Sequence, residues 1–251
     1  MGKVITFINE KGGIGKTSVC FNVAWEISKN KKVLMIDMDG QRANLTYFCG
    51  IEKNIDILTM ADVLKKERAM EEATLKVKKN LDLIPAAVDV ADISQTVKVR
   101  RMKDAISSVK EKYDYIFIDV SPSPDWRHFL SLSASDYALV IMLPDMTSLE
   151  SDNGIIESID EVQGMSNPEL KILGIIFNRN EDRTNMSKTV KEISNVFAEK
   201  MNTKVFNNHI RNAVIMGEVA YAHEGVTDYD PSAAVAEDVR NVAKELIRRS
   251  K

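Results

Sequence analysis

Cysteine is nearly missing from this chain. The two thiols, Cys20 and Cys49, supply neither the pairing of a disulfide scaffold nor the spacing of a structural metal site, and are read as packing residues. Proline is scarce as well: six are scattered without any Gly/Ser-rich stretch. With no linker, repeat or low-complexity tract to divide it, the chain is expected to form one domain over residues 1–251. No apolar run reaches the ~20 residues that cross a bilayer, and the N-terminus enters a β-branched stretch without a basic leader. These absences lead to the expectation of a soluble, cytoplasmic protein. A formal net charge of −3 removes any global attraction to polyanions, so such a contact requires a local basic patch. What is abundant is apolar residues, 44% of the chain, enough core for a large α/β domain.

The richest stretch runs from Asn9 to Ser18, Asn-Glu-Lys-Gly-Gly-Ile-Gly-Lys-Thr-Ser. Before it, Val4 to Ile8 is apolar and β-branched; after it, Val19, Val23 and Ile27 recur at helical spacing. Strand, glycine turn and helix follow one another, so successive backbone N–H groups and the positive helix end converge on one point. That arrangement cradles phosphate, with Lys16 placed for the β- and γ-phosphates and Thr17 for a magnesium ion. Glu10 stands where the common pattern has glycine, and a second lysine, Lys11, follows it.

This spelling, Asn-x-Lys-Gly-Gly-x-Gly-Lys-Thr-Ser, resembles the deviant phosphate loop of the ParA/MinD family of ATPases. The resemblance implies ATP and Mg2+ held by Glu10, Lys11, Gly12, Gly13, Ile14, Gly15, Lys16, Thr17 and Ser18, with Lys11 reaching across a homodimer to the partner's nucleotide. It also implies a single-domain phosphate-loop fold, a mostly parallel twisted sheet with helices on both faces.

Later motifs are read as groups brought to that loop. Lys32 to Asp37 is a buried strand opening into Asp37-Met38-Asp39-Gly40-Gln41, at the sheet end where ligands bind. The stretch is similar to the family's switch I segment, which assigns Asp39 to the attacking water and to the metal, although Gly40 replaces proline and one residue is inserted near Arg42. Glu52 to Lys79 reads as polar and helical, without chemistry, and Leu81 to Ala86 as a strand closed by proline. Tyr113 to Asp119 is a strand delivering one carboxylate, Asp119, to the magnesium site opposite Thr17, and Val120-Ser121-Pro122-Ser123 resembles switch II. Asp145 to Glu150 follows another buried strand, near where the family closes its dimer.

Asn178, at the end of the strand from Leu170, carries an amide suited to the adenine edge, and Ile210-Arg211-Asn212 resembles the family segment lying against that base. The final helix follows Tyr229-Asp230-Pro231-Ser232. The resemblance, spanning nearly the whole chain, implies a ParA-type partition ATPase that segregates plasmid, chromosomal or mobile-element DNA. ATP closes a sandwich dimer on double-stranded DNA without sequence preference, making it nucleoid-associated, and a ParB-type partner stimulates hydrolysis. Lys188, Lys191, Lys200, Lys204, Arg211, Arg240, Lys244, Arg248 and Arg249 are the DNA-contacting candidates, placed by the region in which relatives carry such residues. The chain starts at its first strand, so no extra N-terminal helix-turn-helix is expected.

Three alternatives differ in what they demand. A MinD-type membrane cycle requires bulky apolar residues opposite cations on the last helix, where only Leu246 and Ile247 stand, without an aromatic anchor. An iron–sulfur reductase needs cysteines between and after the switches, and both thiols precede them. A metabolic phosphate-loop synthetase has no need of Lys11 and of this switch I spelling.

Overall fold

A computed structural model describes residues 2–40, 44–52, 57–65, 68–144, 152–180 and 185–251, with the backbone alone at 152, 153, 185–188, 190, 191 and 193. Its sheet is assembled from β1 (Lys3–Ile8), β2 (Val33–Asp37), β3 (Leu75–Lys78), β4 (Leu81–Ile84), β5 (Tyr115–Asp119), β6 (Tyr137–Met142) and β7 (Lys171–Phe177), in the order β3-β4-β2-β5-β1-β6-β7. Every neighbouring pair is parallel except β3 with β4. Helices therefore cross from strand to strand and cover both faces, as parallel connections require.

The alternation within β1 sorts the core. Ile5 and Phe7 join the cluster formed with Val19 and Val23 of helix α1 (Lys16–Ile27) and with Val239, Val242 and Leu246 of the last helix. Val4 and Ile8 face the opposite layer, with Met102, Ile106, Leu130, Ile155 and Ile159. Thr6, on that second side, is fully buried and shares a hydrogen bond with the Ser135 hydroxyl at 2.6 Å, which satisfies its polar group.

Register brings the acidic residues together. Asp37 ends β2 directly opposite Asp119 at the end of β5, and Phe7 of β1 pairs with Asp119 on the other side. Two carboxylates thus reach the carboxyl edge of the sheet beside the loop that leaves β1.

The segment from Glu52 to Lys79 departs from its helical reading. Helix α2 (Asn44–Phe48) precedes it and α4 (Val99–Val109) follows it; within it, helix is found at α3 (Met60–Leu64), where Thr59 and Asp62 form a capping box. Residues 75–78 instead form the antiparallel edge strand β3, in which Leu75 and Val77 alternate with Lys76 and Lys78. Asn80, at φ 63°, makes the left-handed turn into β4, a conformation asparagine tolerates better than most residues. At the far edge, the outer groups of β7 are already occupied. The N–H of Ile175 donates to the Lys204 carbonyl, and the Ile175 carbonyl accepts from Phe206 N–H. The carbonyl of Ile172 accepts from the Thr203 hydroxyl, and that of Leu173 accepts from Arg249.

Candidate functional site

The loop after β1 is held before it is used. The Asn9 side chain accepts the Lys11 N–H at 2.7 Å and donates to the Ile141 carbonyl at 2.8 Å, fastening the turn to the end of β6. Gly13 and Gly15 take φ values of 77° and 89°, the left-handed region that glycine enters without penalty. A Cβ on Gly15 would also lie 2.3 Å from the Asn178 side-chain nitrogen.

Helix α1 begins at Lys16, and its open end faces a cleft of about 400 Å³. Gly12, Gly13, Gly15, Lys16, Thr17 and Ser18 line one wall, with Asp39, Asn178 and Arg211 elsewhere around it. Lys11 contributes its carbonyl, which accepts from Lys16 Nζ at 3.5 Å. Ile14 is buried, so its side chain belongs to the core, while its carbonyl accepts from Asn178 Nδ2 at 2.7 Å. Glu10, expected with the ATP-holding residues, is not part of the cleft lining: it leans toward the helix that begins at Asp152, where its Oε1 accepts from the Ser158 hydroxyl at 3.0 Å.

Beneath Lys16 lies an acidic floor. Asp37 is fully buried; its Oδ1 accepts the Asp39 N–H at 2.9 Å, and its Oδ2 accepts both the Thr46 N–H at 2.9 Å and the Thr46 hydroxyl at 2.7 Å. Burial, opposed by those bonds, raises its carboxyl to about 6. Asp119 is pushed up as well, first by burial and then by Asp37, against the pull of Thr17 and Lys16. Burial pulls the Lys16 ammonium down, and Asp119 and Asp39 hold it partly up.

Thr17 donates its hydroxyl to Asp119 Oδ2 at 2.6 Å, whereas Asp119 Oδ1 is buried without a hydrogen-bond partner among the described residues. An orphaned carboxylate oxygen beside a hydroxyl suits a hard cation with oxygen ligands, so Thr17 and Asp119 fit magnesium. Asp39 is 5% exposed and lines the same cleft.

Gly40 has a local reason. A Cβ there would fall 2.1 Å from the Ala91 nitrogen and 2.7 Å from the Val90 carbonyl carbon, both in the 3-10 turn Val88–Asp92. The backbone of switch I thus lies directly on that turn, where a proline ring would not fit. The insertion near Arg42 and the segment Asp145 to Glu150 lie outside the described residues.

Ile210 differs from its expected place against the base. It is fully buried, and its N–H donates to the Phe177 carbonyl at 2.9 Å, so the cleft wall is made by Arg211, Asn212 and Ala213 instead. Arg211 is held by Asp238 through Nε at 2.6 Å and Nη2 at 2.8 Å. Sequence reasoning missed Phe48 and Met216, two apolar residues of the lining. Both sit on short helices where they look like core residues, and only the topology turns them toward the cleft.

The family model described as an AAA domain matches residues 2–172. The chain is 30% identical over 254 residues to the sporulation initiation inhibitor protein Soj of Bacillus subtilis, covering 98% of each. The chain belongs to the ParA/MinD family of ATPases. Membership at full length extends to the chromosome-partitioning ATPase Soj of Treponema pallidum, 29% identical over 258 residues and covering 99% of this chain and 98% of that one. Among ParA/MinD-type folds already solved, a putative plasmid partition protein of Borrelia burgdorferi bound to AMPPNP superimposes with a TM-score of 0.83 at 25% identity. That comparison covers 99% of this chain and 100% of the other.

One residue behind the site carries its own pH signature. His128, on helix α5 (Trp126–Ser133), is 2% exposed, and neither ring nitrogen has a hydrogen-bond partner among the described residues. Burial lowers it from 6.5 to about 4, with Asp125 opposing and Lys16 assisting. Unfolded chains take up this proton near 6.5 and the native protein near 4, so acid favours unfolding between those values. His128→Leu should cancel that loss. Its stability relative to the parent in urea should rise by about 2–3 kcal/mol between pH 7 and pH 4.5, and an unchanged difference would remove the effect from His128.

Proposed function

We propose that this chain is a partition ATPase of the ParA type. ATP closes two copies around two nucleotides, the closed pair binds double-stranded DNA without sequence preference, and hydrolysis releases it. In this reading Lys16 neutralises the phosphates of its own subunit and Lys11 those of its neighbour, while Asp39 positions the attacking water. Thr17 and Asp119 would hold magnesium, which when bound would supply further positive charge to the phosphates. Asn178 and the Arg211 segment face the base. A centromere-binding protein of the ParB type is the expected stimulator, and the nucleoid the expected location of the ATP-bound form. No described helix is long and apolar enough to cross a membrane.

The observation that carries the reading is the acidic floor under a two-lysine loop, in a chain that matches a chromosome-partitioning ATPase along its whole length. The cationic candidates differ in their present partners. Arg249 is bound to Glu245, Lys204 and Val205, and Arg240 to Glu237 and Pro231. The side chains of Lys188 and Lys191 lie outside the described residues. Lys200, Lys204, Lys244 and Arg248 are exposed, Arg248 with its Nη2 3.7 Å from Glu245 Oε1. Lys200 and Lys171 line one groove and Lys204 and Arg248 another, and the two grooves share Leu173 and Arg249. That edge is the DNA surface we favour.

Co-sedimentation with DNA across salt concentrations, using ADP, ATP or no nucleotide, tests it. Binding should appear with ATP alone and fall steeply with salt. Lys204→Ala and Arg248→Ala should each reduce the salt slope by about one without altering ATP binding. Binding that ignores nucleotide, or ATP turnover that depends on a small-molecule substrate and not on DNA, would overturn the proposal.

A further inference from the structure

The helix α6 (Asp152–Met165) has a glycine near its start, Gly154, where alanine is ordinarily the better helix former. The position is explained by what lies on it. A Cβ at Gly154 would stand 2.2 Å from Glu10 Oε2 and 2.9 Å from Glu10 Cδ, so the carboxylate rests on the bare backbone of the helix. One turn further, Ser158 donates to the other oxygen, Oε1, at 3.0 Å. A carboxylate against a first helical turn is also favoured by the helix dipole. Glu10 therefore makes a two-point contact with α6, and Gly154 is what makes room for it.

The contact matters because of where Glu10 sits. Its neighbours in sequence are Asn9, which fastens the turn to Ile141 at the end of β6, and Lys11. The Lys11-bearing turn is thus pinned on one side to β6 and on the other to α6, the two elements that flank residues 143–151. Any shift of α6 relative to β6 acts on the turn through Glu10. Ser158 also lines a cavity of about 40 Å³ with Asp125 and His128, so α6 touches the helix that follows switch II as well. The same helix adjoins both the phosphate loop and the segment after Asp119.

We infer that Glu10 is a positioning residue: with Gly154 and Ser158 it sets the Lys11 turn by tying it to α6, and so governs pairing of two copies rather than nucleotide affinity. The inference rests on the sandwich-dimer reading above, in which Lys11 acts on the neighbour's nucleotide. Glu10 touches no reacting group in this assignment; it acts through Lys11.

Three variants test it: Glu10→Gln, Ser158→Ala and Gly154→Ala, the last evicting the carboxylate while improving the helix. Affinity for a fluorescent ADP analogue should stay within about twofold of the parent's, and the dissociation constant of the pair formed with ATPγS and magnesium, by sedimentation velocity, should rise about fivefold or more. Gly154→Ala should do so with an unreduced thermal midpoint, which a merely structural role for the contact does not predict. Glu10→Gln combined with Ser158→Ala should be no weaker in pairing than the weaker single variant, since both break one linkage. Variants that pair like a parent that itself pairs, or penalties that simply add, overturn the coupling. A parent that stays monomeric with ATPγS overturns the sandwich reading, and this inference with it.

Discussion

Replacing Lys16 with alanine should weaken binding of ATP with magnesium by about two orders of magnitude, measured by calorimetry or by displacement of a fluorescent nucleotide. Lys16 is only 6% exposed and lies over carboxylates that are themselves buried, Asp119 at 0% and Asp39 at 5%. Removing it takes away the cation proposed to meet the phosphates and leaves that acidic floor facing a polyanion. Both effects act in the same direction, so the loss should exceed that of a single surface charge, which is worth about 1 kcal/mol or less. Binding and turnover equal to the parent's would refute the loop assignment. Lys11→Ala is the informative contrast: nucleotide binding by the single copy should survive, and ATPγS-dependent pairing should fail.

Asp39→Ala should separate closure from chemistry. The residue is held at the end of a short, well-determined path: Asp37 anchors the Asp39 N–H at 2.9 Å, and Thr46 anchors Asp37 through two hydrogen bonds while accepting the Ala86 N–H at 2.9 Å. A carboxylate so positioned can orient or activate a water, a contribution of about 10²-fold or more. Phosphate release should therefore fall by at least about that factor, while ATP-dependent pairing and DNA binding persist, since the lysines proposed to meet the phosphates are untouched. Undiminished phosphate release would remove Asp39 from its role. Thr46→Val offers a milder form of the same test, because it withdraws the one hydroxyl bond that fixes Asp37 without altering Asp39.

Much of the site was legible because its parts sit at boundaries between patterns. The loop from Asn9 to Ser18 lies between an apolar strand and a helix of apolar spacing, and Asp37 and Asp119 each close a run of buried residues, so strand ends alone place them at one edge. What was hidden depends on distant partners. The period-two signal of β3 is four residues long, with neither face fully buried, and was absorbed into a polar stretch read as helical. Ile210 could not be told from its neighbours as a wall of the cleft, because the bond from its N–H to Phe177 is a tertiary fact. Arg249 looks like a terminal cation in sequence. In the fold its guanidinium is spent on Glu245 and on carbonyls of residues 204 and 205, and it stacks 4.1 Å from the Phe206 ring centre.

The two margins of the sheet constrain how copies of this chain can accumulate. One margin is a four-residue, irregularly registered strand bearing Lys76 and Lys78; along the other, backbone groups of Ile172, Leu173 and Ile175 are already engaged by residues 203–206 and Arg249. Cross-β stacking needs an open, flat rim, and neither side supplies one. Polymers of this protein, if fuel promotes them, must grow through side-chain surfaces, and their fibres should lack the cross-β diffraction spacing.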